Sequence, residues 1–121
     1  MSRFLATLLL VLLVFSGVST RALATEYLSG ISDLPLPDGL VEAKDKSTVF
    51  DSAVGKVVTA YASGPGTAEA VHDFYAATLP QLGWTETDEG NWQRENETLK
   101  IDVLGPAAGP VTATFTLSSD N

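Results

Sequence analysis

The stretch TLKIDVLGPAAGPVTATFTL, residues 98–117, decides the fold class. At its start Leu99, Ile101 and Val103 alternate with Thr98, Lys100 and Asp102; at its end Val111, Ala113, Phe115 and Leu117 alternate with Thr112, Thr114 and Thr116. An extended chain sends successive side chains to opposite faces, so each run predicts a strand with one apolar and one polar face. The intervening Gly105-Pro106-Ala107-Ala108-Gly109-Pro110 reads as a loop. Half-polar strands joined this closely imply antiparallel sheet, packed on one face and solvated on the other.

Upstream of this pair, residues 84–88 and 92–95 predict two short strands flanking the hairpin connection Glu89-Gly90-Asn91, with a tight turn near Asn96-Glu97. Further back the period changes. Over residues 67–79, Val71, Phe74, Tyr75 and Leu79 recur at spacings of three and four, joined by Leu82 if the turn continues past Pro80. That stripe predicts an amphipathic helix laid on the sheet. Gly66 or Thr67 can cap its free N–H groups, Glu69 suits the positive end of the dipole, and Gly83 stops the chain. Ser63-Gly64-Pro65-Gly66 reads as a break before the helix.

Residues 54–62, VGKVVTAYA, are apolar on both parities and predict a strand well inside the sheet. Residues 41–43 suit a short edge strand, and Lys44-Asp45-Lys46-Ser47 a solvated connection. Leu34-Pro35-Leu36-Pro37-Asp38-Gly39 is extended and then turns, because each proline fixes φ and Pro-Asp-Gly is a turn triplet. The expected architecture is α+β, with one helix packed on one face of a mainly antiparallel sheet of about four to six strands, in the order β-β-α-β-β-β-β. The opposite face would carry Thr112, Thr114, Thr116, Lys100 and Asp102, either simply solvated or serving as a binding surface.

The amino terminus carries a different signal. In residues 1–24, MSRFLATLLLVLLVFSGVSTRALA, Arg3 follows the free amine, residues 4–15 are a continuous, mostly Leu/Val run, and Ala22-Leu23-Ala24 is a small-x-small site. This predicts a secretory signal cleaved after Ala24. An apolar run of about a dozen residues is short of the roughly 20 that a spanning helix needs. The expected organisation is therefore a removed signal at 1–24, an extended N-terminal segment with a weak edge strand at 25–47, one domain core at 48–118, and a tail at 119–121.

The chain carries 15 Asp+Glu against seven Lys+Arg, a net charge of −8. Loss of Arg3 and Arg21 with the signal leaves five cations, a net charge of −10 on 97 residues. So acidic a surface disfavours nucleic acid and anionic lipid, whose contacts come mainly from Lys and Arg. The 97 residues are enough for one small domain. Cysteine is absent, which excludes a disulfide framework, a thiol nucleophile, Cys-ligated zinc and a lipid-modified cysteine. Asn96-Glu97-Thr98 is an N-x-T sequon, read as an accident of composition in a bacterial chain.

Candidate chemistry is sparse. The single histidine, His72, lies about 100° off the apolar stripe, and one histidine cannot build a multi-His metal site. Glu86, Asp88, Glu89, Glu95 and Glu97 gather about the hairpin without EF-hand spacing and beside turn residues, where side chains are usually solvated. Trp84 and Trp92 are the two largest apolar side chains. They either close the end of the core or form an aromatic platform for a glycan or peptide.

The run FYAATLPQLGW at residues 74–84, preceded by FDSAVGK at 50–56 and followed by WQRENETL at 92–99, resembles small exported proteobacterial proteins of uncharacterised function over about residues 33–118. The resemblance implies fold and export and transfers no catalytic or binding residues. The functional expectation is a soluble, monomeric, periplasmic or secreted module without enzymatic activity or cofactor. It would act on a protein partner, a basic one being favoured, through surface complementarity or pairing at a free sheet edge. The alternative is a small-ligand or glycan-binding module using Trp84 and Trp92.

Overall fold

Seven strands form one antiparallel sheet with a single α-helix on one face, in a computed structural model that describes residues 26–31, 33–106 and 109–120. The expected signal and its cleavage site after Ala24 lie outside the described residues. In chain order the elements are β1 (Val41–Glu42), β2 (Thr48–Ser52), β3 (Gly55–Gly66), α1 (Ala68–Thr78), β4 (Thr85–Asp88), β5 (Asn91–Arg94), β6 (Glu97–Leu104) and β7 (Gly109–Asp120). The sheet runs β1-β3-β7-β6-β5-β4, and β2 pairs with the same edge of β3 as β1 does.

Strand number and order correct the expectation of four to six strands, because three strands precede the helix rather than two. The added strand is β2, which lay unread between a solvated connection and the predicted strand at 54–62. Its central residues are exposed on both faces, so it has no alternating pattern to detect. Its turn into β3 is Ala53-Val54, a pair without Gly, Asn or Asp to signal a hairpin. Val54 therefore sits in that turn and not in the strand.

A second correction concerns Ser63-Gly64-Pro65-Gly66, which continue β3 instead of breaking it. There β3 pairs only with β7, since β1 reaches no further than Ser63, and a proline is tolerated where one side of a strand lacks a partner. Gly64 is required for another reason: a Cβ at that position would lie 2.1 Å from the Gly39 carbonyl oxygen. The expected tail also belongs to the sheet, with Ser119 and Asp120 closing the ladder against Lys56 and Gly55.

The long hairpin-like pair β3 and β7 is the spine, in register from Gly55 opposite Asp120 to Gly66 opposite Gly109. From β3 to β4 the sheet takes four antiparallel steps, so these two strands run in the same direction. Four inter-strand steps span about 19 Å. An 11-residue helix is about 16 Å long, so α1 with the 3-10 turn Leu79–Leu82 bridges that distance. Thr67 caps the helix as expected, its Oγ1 accepting from the Ala70 N–H at 3.1 Å. Gly83 ends the turn at φ 91°, a conformation that favours glycine.

The predicted stripe points at the sheet: Val71, Tyr75 and Leu79 are buried and Phe74 is partly buried, whereas Leu82 reaches the surface. Beneath them lie Val58, Ala60, Ala62, Leu99, Val111, Ala113 and Phe115, the helix-side residues of β3, β6 and β7. One helix about 10 Å across covers only part of so wide a sheet. The remainder is covered by the N-terminal segment, whose Leu28, Ile31, Leu34, Leu36 and Leu40 are all buried. The lead-in expected at 25–47 is thus half of the lid. Tyr75 joins the two halves by donating its buried hydroxyl hydrogen bond to the Pro35 carbonyl at 2.8 Å while its ring meets Phe115 edge-on at 5.7 Å. Burial pushes the Tyr75 phenol pKa well above its ordinary value.

Candidate functional site

Trp84 and Trp92, the residues expected either to close the core or to form a binding platform, are both 3% exposed. Trp92 sits on the helix side of β5, opposite Leu99. Trp84 precedes β4, donates its backbone N–H to the Leu79 carbonyl at 3.1 Å, and is covered by the Arg94 guanidinium 4.3 Å from its ring centroid. Neither indole presents a face to solvent, so they form no platform. Their size commits them instead to closing the sheet's narrow end, where four-residue strands supply little other apolar surface.

Arg94 drew no attention in the sequence, yet it organises this end. It reaches Asp33 at 2.7 Å and Glu97 at 3.0 Å, and donates to the Leu82 carbonyl at 3.1 Å. The hydrogen bond to Asp33 raises its pKa above the usual arginine value; partial burial opposes this and Glu97 reinforces it. These contacts tie the N-terminal segment at Asp33 and the turn before β4 at Leu82 and Trp84 to the β5–β6 hairpin, which makes the group a clasp. Its lone position in an acidic hairpin was the only available hint.

His72 is half-buried and lines a cavity of about 320 Å³ with Glu69, Glu89 and Asp102. Among the described residues, no three His, Cys, Asp or Glu side chains converge closely enough to hold a metal ion. Of the hairpin carboxylates, Glu97 is engaged by Arg94, and Glu86, Asp88, Glu89 and Glu95 are exposed. Glu95 takes a positive φ of 52° in the turn expected near Asn96.

What distinguishes the surface is the far edge of the sheet. Among the described residues β2 pairs with β3 on one side only, and alternate residues of such an edge strand turn N–H and C=O groups outward. It also presents large apolar side chains: Val49 is 61% exposed, Phe50 67% and Val54 82%. The register explains why. Phe50 pairs with Val57 on the face opposite the helix, while Val49 pairs with Val58 on the helix side but lies beyond the reach of α1. The face opposite the helix carries Thr112, Thr114, Thr116, Lys100 and Asp102, as expected, with Lys100 3.7 Å from Asp102.

The cations are unevenly placed. Arg94 and Lys100 have carboxylate partners, whereas Lys44, Lys46 and Lys56 make no ion pair among the described residues. Lys44 and Lys46 sit in the 3-10 turn between β1 and β2, and Lys56 is one strand in, opposite Asp51. The other free edge is β4, whose Glu86 and Asp88, with Glu89 in the following turn, are exposed and without cation partners among the described residues. No protein-family model, curated protein or solved structure matched this chain in the comparisons made.

Proposed function

We propose that this protein is an exported, non-enzymatic interaction module that engages a protein partner along the exposed strand β2. The observation that carries this reading is the coincidence, over residues 48–51, of a strand edge with no partner strand among the described residues and Val49 and Phe50 exposed by more than half, with Val54 exposed in the following turn. Natural sheets blunt such edges with charge, proline or short length, because an extended apolar edge is a template for another strand. Here Val49 and Phe50 stay bare on either face of such an edge. Pairing by strand addition would take affinity from main-chain hydrogen bonds and selectivity from the side chains on either face.

The leader-like residues 1–24 support the exported setting, and the lack of cysteine is compatible with it. A photo-crosslinking residue in place of Phe50, introduced in the producing cell, should yield adducts in the exported fraction. The same residue in place of Asp73, exposed on α1, should yield none. Equal adducts at the two positions, or none at Phe50, would overturn the assignment of β2.

A further inference from the structure

We propose that the end of the covered sheet face, beneath the N-terminal segment, is a binding pocket for a small zwitterion with an apolar body: a free apolar amino acid or a short apolar peptide. Such a ligand would occupy a site other than the β2 edge and needs no partner protein. The strand register builds the site. Lys56 pairs with Ser119, Ser119 with Glu97, and Glu97 with Arg94, so these residues form one row across β3, β7, β6 and β5. Two residues along each strand lies the row Val58, Leu117, Leu99 and Trp92, which faces the helix side. Side chains two apart share a face, so the charged row points the same way.

No residue of α1 lines this end; Gly30, Ile31 and Asp33 stand over it and complete a cleft of about 380 Å³. That volume lies at the small end of the range of about 300–1,000 Å³ usual for ligand pockets, which suits a small molecule. Ile31, Val58 and Leu117 give the cleft its apolar lining. Its charged groups, Lys56, Arg94, Asp33 and Glu97, sum to zero in a chain of net charge −8. Discrimination here must therefore come from where each charge stands.

Arg94 is committed to the protein, meeting Asp33 Oδ2 at 2.7 Å and Glu97 Oε1 at 3.0 Å. This leaves Asp33 Oδ1 and Glu97 Oε2 as acceptors without a hydrogen bond among the described residues. At the other end the Lys56 ammonium makes no ion pair among the described residues, although Asp51 lies across from it on β2. The Ser119 hydroxyl between them makes no hydrogen bond there either. Donors thus stand at one end of the cleft and acceptors at the other. Lys56 and Glu97 are two strands apart, about 9.5 Å at the backbone. A carboxylate held by Lys56 and Ser119 therefore directs an ammonium of the same small molecule toward Glu97 and Asp33. A simple anion would be repelled by the carboxylates and a simple cation by the lysine; only a molecule with both charges escapes both penalties.

Titration of the purified protein with L-leucine and with L-leucyl-L-leucine, followed in heteronuclear NMR spectra, tests this. The amide signals of Ile31, Lys56 and Ser119 should shift and saturate. Tighter binding of leucine assigns the free amino acid, and tighter binding of the dipeptide assigns a short peptide. 4-Methylpentanoate, which is leucine without its ammonium, and 3-methylbutylamine, which is leucine without its carboxylate, should each bind at least about tenfold more weakly than the tighter zwitterion, having lost one charge-assisted contact. Lys56→Met should weaken the zwitterion at least about tenfold and leave 3-methylbutylamine unchanged, because the lysine meets only the carboxylate. Lys46→Met, outside the cleft, should change neither. Circular dichroism reads whether each variant is folded.

Absence of a saturable shift with either zwitterion up to its solubility limit would overturn the pocket. So would 4-methylpentanoate binding as tightly as the zwitterion, or a folded Lys56→Met variant that binds it as the wild type does. Where Lys56→Met does not fold, the comparison of ligands on the wild type decides alone. None of these results bears on crosslinking at Phe50, so the pocket and the β2 reading stand or fall separately.

Discussion

The two faces of the sheet are made by alternate residues of the same strands, yet one is buried under a helix and the N-terminal segment and the other has no layer packed on it among the described residues. In β7, Val111, Ala113 and Phe115 are at most 1% exposed, whereas Thr112, Thr114 and Thr116 between them point away from the helix. The difference does not come from strand propensity, since threonine, valine and phenylalanine all favour strands. It comes from what lies above: α1 and the N-terminal segment cover one face only. Packing therefore concentrates on a single parity of each strand.

The strongest way to break that contrast is Phe115→Ala, which opens a hole beneath Tyr75 at the centre of the covered face. Loss of the buried ring should cost about 3–5 kcal/mol, read as a lowered midpoint in urea unfolding. A loss under 1 kcal/mol would show that the lid does not press on the sheet. A smaller effect sharpens the role of the lid itself. Tyr75→Phe removes the hydroxyl that holds Pro35 and leaves that carbonyl unsatisfied, for about 1–3 kcal/mol.

The same tyrosine has a pH signature. Its pKa is raised in the folded state above the ordinary value of 10.0, so the neutral phenol is the folded form. Its contribution is fully present below pH 10 and is lost as the pH rises above that, where the unfolded chain ionises first. Thermal unfolding followed from pH 8 to 11 should therefore show a steeper alkaline decline for the wild type than for Tyr75→Phe. The smallest effect belongs to the open face: Thr114→Ala should change stability by no more than about 0.5 kcal/mol in the same urea titration. A larger loss would mean that this face is covered in solution.

The two edges of the sheet repeat the lesson at smaller scale. β2 and β4 are both short, exposed strands, but β4 is blunted by Glu86 and Asp88 whereas β2 keeps Val49 and Phe50 bare. Charge is a common protection for a free edge. Its scarcity along β2 is what makes that edge a candidate for contact.

How legible each part was follows from its surroundings. The β6 and β7 strands and the helix at 68–78 were readable because each has one buried and one solvated side, and such asymmetry writes a period into the chain, while the Glu89-Gly90 turn was readable from its glycine. β2 has no buried side along its centre and so wrote none. Its importance emerges only when Phe50 is seen opposite Val57 with nothing beyond it. The tryptophans were conspicuous as residues, but burial is a property of place: Arg94 closes over Trp84 from ten positions away, held by Asp33 from 61 positions away.

By itself the sequence determined the class of fold, the cysteine-free interior, the acidic charge and which parity of β6 and β7 is apolar, because composition and period are local properties. Only the tertiary structure decided that Leu28, Ile31, Leu34, Leu36 and Leu40 serve as half of the lid, that the indoles are buried, and that Val49 and Phe50 lie bare at an edge. Those outcomes depend on which strands become neighbours. β3 and β7 are joined over their full length across a separation that no local pattern records.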